Sequence, residues 1–171
     1  MGIDATSFDA VLLSFTHLTN KKAALTLGRQ GLHMSLDIIN YILTNYGHLN
    51  LIDKVHGKYC EKLFEEFGFN ELDSLDYSSY EGASIIHDMN KPLEVTKKYD
   101  YIYDGGTIEH IFNAPQVLEN IINLLEIDGI FCSVTCNNNF SGHGMYQFSP
   151  EFFLSTLTPK YGMEIKELFI A

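Results

Sequence analysis

Residues 98–113 read KYDYIYDGGTIEHIFN, and they place an acid at Asp104, a Gly105-Gly106 turn, an acid at Glu109 and an imidazole at His110. A carboxylate accepts hydrogen bonds and a histidine exchanges protons near neutral pH, so this group could bind a polar ligand or move a proton. A second imidazole, His143, sits between Gly142 and Gly144, with Tyr146 and Gln147 just beyond it. His110 and His143 are therefore candidate bases, and Glu109, Tyr146 and Gln147 are candidates for positioning an acceptor. The same residues also fit a plain Asp-Gly-Gly turn, a capping Glu-His pair and a loop histidine, none of which needs chemistry. His17, His33, His48, His56 and His87 have no comparable context.

Positioning such groups needs strands that end together. Tyr101, Ile102 and Tyr103 suit a buried strand that stops at the glycine turn. Upstream, an amphipathic helix is expected over 7–20 and a first strand over 23–27, which feeds the turn Gly28-Arg29-Gln30-Gly31. Ser35 can cap a helix through Leu43 with Gly47 beyond its end. Residues 48–58 show no clean period. A helix over 58–67, a strand over 71–76 ending at Asp76-Tyr77, and a strand over 84–87 closed by Asp88-Met89 follow. After the central strand come a helix over 114–125 ended by Asp128-Gly129, a strand over 130–135, a polar loop over 137–144, a helix opened by Ser149-Pro150, and a last strand over 163–170. Alternating strands and helices predict an α/β, Rossmann-like, doubly wound and mostly parallel sheet in a three-layer α/β/α arrangement. If the strands are parallel, the loops at Gly28, Asp76, Asp88 and Asp104 gather at one edge, where open α/β sheets bind ligands.

The chain has 171 residues and neither internal repeat nor linker, so residues 1–171 are expected to form one domain with one cleft. A net charge of -11 repels a nucleic-acid backbone, and the doublets Lys21-Lys22 and Lys97-Lys98 make no basic patch against it. No nucleic-acid partner is expected. The three cysteines are an odd number behind no secretory leader, which points to a reducing cytoplasm rather than a disulfide framework. Cys132 and Cys136 do not have zinc-knuckle spacing, so no metal is expected, and no apolar run is long enough to cross a bilayer. Oligomeric state has no signature here.

The order LTLGRQG, SLDYSS, HDMNKPL, YDGGTIEHIFN and GHGMYQFSPEFF, spread from about Lys21 to the end, resembles the class I S-adenosylmethionine-dependent methyltransferases. The last segment is similar to methyltransferase-like proteins of bacterial surface-sugar gene clusters. The resemblance implies S-adenosylmethionine as cofactor and methyl transfer to an oxygen or nitrogen of a small, sugar-related acceptor. It implies that Asp76 binds the cofactor ribose, that Asp88 and Met89 meet the adenine, and that Gly28, Arg29, Gly31, Asp104 and Gly105 complete the cofactor site. The first loop departs from the family pattern, because Thr26 stands at the usual acidic position and only Gly28 and Gly31 remain of the glycine run. Arg29 could hold the cofactor carboxylate, or the loop could hold no cofactor, leaving a non-catalytic relative that binds a partner or another small molecule. A nicotinamide-binding domain ranks last, for want of a GxGxxG run. The family's final antiparallel strand has no room after Ile170, so a shortened sheet or a truncated chain is expected.

Overall fold

The computed structural model describes residues 2–170. In chain order the elements are β1 (Gly2–Ile3), α1 (Ala5–Phe15), β2 (Ala23–Leu27), β3 (Gly31–Leu32), α2 (Leu36–Asn45), α3 (Glu61–Glu66), β4 (Glu71–Asp76), β5 (Ile85–Ile86), β6 (Tyr99–Gly105), α4 (Ala114–Leu124), β7 (Leu125–Val134) and α5 (Pro150–Thr156). Five strands form one sheet in the order β5-β4-β2-β6-β7, and every pairing in it is parallel. The chain leaves β2 in one direction to reach β4 and returns past it to reach β6, so the topological switch point lies beside β2.

Side-chain alternation sorts the core into two layers. On one face Ala24, Tyr101 and Tyr103 pack with Phe8, Val11, Leu12 and Phe15 of α1 and with residues of α2 and α3. On the other, Leu25, Leu27 and Ile102 pack with Val117, Leu118 and Ile121 of α4, and Phe152 and Phe153 of α5 lean on this layer. The expected α/β/α sandwich is thus formed. Asp100 secures its far edge, where its Oδ2 accepts the N–H groups of Lys22 and Ala23, each at 2.9 Å.

Several boundaries differ from expectation for identifiable reasons. α1 begins two residues early because Asp4 and Ser7 form a reciprocal capping box at its start, and it stops at Phe15 with Thr16 as its C-cap. Gly31 does not end a turn but pairs in parallel with Gly2, and its neighbour Leu32 with Ile3, in a small second sheet. Asp128-Gly129 does not stop α4. The helix ends at Leu124 and passes straight into β7, with Asp128 at φ 63° where the register slips between Tyr99 and Tyr101. The strand expected over 163–170 does not form; those residues carry no regular structure, so among the described residues the sheet has no antiparallel member. Among the described residues no helix is long and apolar enough to cross a membrane.

Candidate functional site

Because the strands are parallel, β2, β4, β5 and β6 deliver their carboxyl ends to one edge, and there a cleft of about 460 Å³ opens. It is lined at the ends of β2 and β4 by Leu27, Leu75, Asp76 and Tyr77, beyond β5 by His87 through Asn90, and beyond β6 by Thr107, His110 and Ile111. That volume lies within the range of small-ligand pockets, and its mix of an apolar lining with a few polar groups is typical of them. Asp76 is half-buried and its Oδ1 accepts the N–H of Ser78 at 3.1 Å, while its carbonyl accepts the N–H of His87 at 2.9 Å. Asp88 is tied into its own turn. Its Oδ1 accepts the side-chain and backbone N–H of Asn90 at 2.8 and 3.1 Å, and these bonds hold its carboxyl below the usual range. Met89 is buried and faces both the cleft and the α4 layer.

Asp104 and Gly105 lie beneath this cleft rather than on its wall. The Asp104 carboxylate is fully buried, with Oδ1 accepting the N–H of Thr107 at 2.9 Å and Oδ2 accepting the hydroxyl of Ser133 at 2.7 Å. Burial pushes its pKa up to about 7 despite those bonds. Its role is to shape the turn that presents Thr107 and His110. Gly105 must be small, since a Cβ there would stand 2.6 Å from Gln30 Oε1 and 2.8 Å from the Tyr103 ring.

The first loop is folded inward. Gly28 has φ 71° and donates its N–H to the carbonyl of Leu75 at 2.7 Å, and both Gly28 and Gly31 are buried. Gln30 is fully buried and donates to the Leu27 carbonyl at 2.5 Å. The guanidinium of Arg29 is engaged by Glu61 at 2.6 Å and by the Glu81 carbonyl at 3.0 Å, and it stacks 4.0 Å from the Tyr59 ring. None of these residues lines the cleft.

On the other side of the turn, Glu109, His110 and His143 do come together, with ligand atoms all within 4.8 Å of one another. Glu109 is buried; Thr135 donates to its Oε2 at 2.9 Å, and its Oε1 lies 3.6 Å from His143 Nε2. The two imidazoles meet edge to face at 4.9 Å between centroids. The post-β7 loop is brought here by main-chain bonds: Met145 and Tyr146 donate their N–H groups to the Glu109 carbonyl at 2.7 and 3.1 Å. Gly144, at φ 70°, allows the approach, since a Cβ would stand 2.9 Å from that carbonyl oxygen. Tyr146 donates its hydroxyl to the Phe112 carbonyl at 2.5 Å, and Gln147 Oε1 accepts the N–H of Phe140 at 3.2 Å. These two residues brace the loop and do not line the cleft.

His87, Asn90 and Thr107 also line the cleft, although the sequence alone marks none of them. His87 has no telling sequence context, yet its place one residue past β5 puts it on the cleft wall. Asn90 accepts the N–H of Asn113 at 2.9 Å and so fastens the Asp88 turn to the start of α4. Thr107 donates its hydroxyl to the Leu27 carbonyl at 2.7 Å, bridging the ends of β6 and β2. Their common signal is position, one to four residues beyond a strand end.

No family model matches the chain, and no curated protein matches it in sequence. Among solved structures, a protein from Bacillus halodurans C-125 provisionally described as a methyltransferase aligns over 97% of this chain and 68% of its own, at 12% identity and a TM-score of 0.60. A Pyrococcus horikoshii OT3 protein described without an activity aligns over 74% of this chain and 54% of its own, at 15% identity and a TM-score of 0.37, too low to bear on the fold. The strand order, the parallel sheet covered on both faces and the first of these alignments together give the chain a methyltransferase-like α/β fold.

Proposed function

We propose that this protein is an S-adenosylmethionine-dependent methyltransferase acting on an oxygen or nitrogen of a small, polar acceptor of the sugar class. The observation that carries the reading is the cleft at the carboxyl ends of the parallel strands, with Asp76, Asp88, Met89 and Thr107 on its walls and His110 at its margin. Its residues suit the cofactor chemically: a strand-end carboxylate for ribose hydroxyls, and Leu27, Leu75, Met89 and Ile111 as apolar surface for a purine. The bound cofactor would supply a methyl group activated on a sulfonium. Asp76 would accept hydrogen bonds from the ribose, and Met89 would pack on the ring. His110 and His143 would take the proton from the acceptor, with Glu109 stabilising the charged imidazole beside it. Much of the rate would come from holding the acceptor in line rather than from strong acid-base chemistry.

Calorimetric titration with S-adenosylmethionine should show one site per chain, and Asp76→Ala should weaken it by at least tenfold, about 1.4 kcal/mol. No heat at millimolar ligand would refute the reading. A second reading, a non-catalytic relative binding another small molecule, is favoured by the first loop, where Gln30 packs against Gly105 and Arg29 is held by Glu61. Unchanged affinity in Asp76→Ala would support it.

A further inference from the structure

We infer that Glu109, His110 and His143 form a binding site for a single divalent transition-metal ion of the zinc class, on the acceptor side of the cleft. The inference rests on the methyl-transfer reading only for what the ion would do, not for whether it binds. Two imidazoles and one carboxylate are a donor set that such ions take with a further position left for water or substrate. A tetrahedral ion with bonds of about 2.0–2.1 Å holds its ligand atoms about 3.3–3.5 Å apart. The 3.6 Å between Glu109 Oε1 and His143 Nε2 is close to that edge, and all three donors fall within 4.8 Å, so modest side-chain rotation closes the triangle.

The surroundings are those of a supported site rather than a chance meeting. Glu109 is 2% exposed, and a carboxylate so deeply buried calls for a cation or strong donors. One oxygen is fixed by the Thr135 hydroxyl at 2.9 Å, which orients the carboxylate and leaves Oε1 toward His143. His143 belongs to an exposed loop, yet two N–H bonds to the Glu109 carbonyl pin the residues next to it. Gly106, at φ 82°, keeps the other side clear, since a Cβ there would come within 3.2 Å of Glu109 Oε1. His110 lines the cleft, so an ion bound here adjoins the space for the acceptor. It would polarise the acceptor oxygen directly, and the imidazoles would then serve as ligands instead of bases.

The test is calorimetric titration of the chelator-treated full chain with Zn²⁺ alone. One equivalent should bind, and His143→Ala, on an exposed loop where folding is not at stake, should weaken binding at least tenfold, as should His110→Ala. Glu109→Gln should do the same, read beside its melting curve because the residue is buried, while His56→Ala should change nothing. Absence of Zn²⁺ binding, or binding that survives both histidine substitutions, would overturn the site. S-adenosylmethionine is titrated separately. Zn²⁺ binding without cofactor binding upholds the metal site and removes the methyl-transfer reading, and cofactor binding without Zn²⁺ does the reverse.

Discussion

Asp104 is the residue on which the cleft's geometry depends most directly. It accepts two backbone N–H groups and one hydroxyl from inside the fold, and so converts a flexible Gly-Gly turn into a fixed one. Its folded pKa of about 7 lies above the unfolded value, so the stability tied to its protonated form is complete below about pH 4 and is lost as pH rises through about 7. The charge of Glu109 adds to that rise. Asp104→Asn keeps an acceptor for the two amides and cannot ionise, so its melting temperature should stay flat between about pH 4 and 7 while that of the native chain falls. Asp104→Ala leaves the donors unpaired and should cost about 2–4 kcal/mol in chemical denaturation, since each stranded polar group costs about 1–3 kcal/mol. The carboxylate could be read from the sequence as a strand-end acid. That it is buried could not, because Ser133, its one distant partner, meets it only after β6 and β7 pair.

The turn after β2 and the end of β6 act as one unit. Gln30 fills the space against Gly105, and its amide is held by the carbonyl that also receives the Thr107 hydroxyl. Gly105→Ala should therefore lower stability by about 1–3 kcal/mol through overpacking. Gln30→Ala in the same chain should recover part of that loss, giving a measurable coupling energy in a double-mutant cycle; strictly additive effects would show that the two residues do not share this space. The element boundaries followed local signals closely where these were strong: Ser35 caps α2 and Pro150 opens α5, as their types suggest. They departed where pairing prevailed over turn chemistry. Gly31 was drawn into a strand by Gly2, and the Asp128-Gly129 pair became an irregularity within β7 because Tyr99 and Leu125 were already in register.

Across the whole molecule, the α1 layer is held by an aromatic cluster in which Phe15 meets Phe64, Phe67, Phe69 and Tyr101 at centroid distances of 5.7, 5.1, 5.5 and 5.0 Å. It joins α1 to α3, to the residues that follow α3, and to β6. Phe15→Ala should cost about 3–5 kcal/mol in equilibrium denaturation, with the transition midpoint shifted and its slope unchanged. The sequence by itself determined the alternation of strands and helices, the two apolar layers and the acids and imidazoles at strand ends, because hydrophobic period and turn chemistry are local properties. Tertiary structure alone decided which of those groups share a space. The side chain of Asp104 went below the cleft and Arg29 to Glu61, while Asp76, Asp88, Met89 and His110 came to the cleft and His143 reached Glu109 across 34 positions of chain. The physical reason is that β-sheet pairing and the docking of the post-β7 loop on the Glu109 carbonyl are contacts between distant residues, and no local pattern encodes their partners.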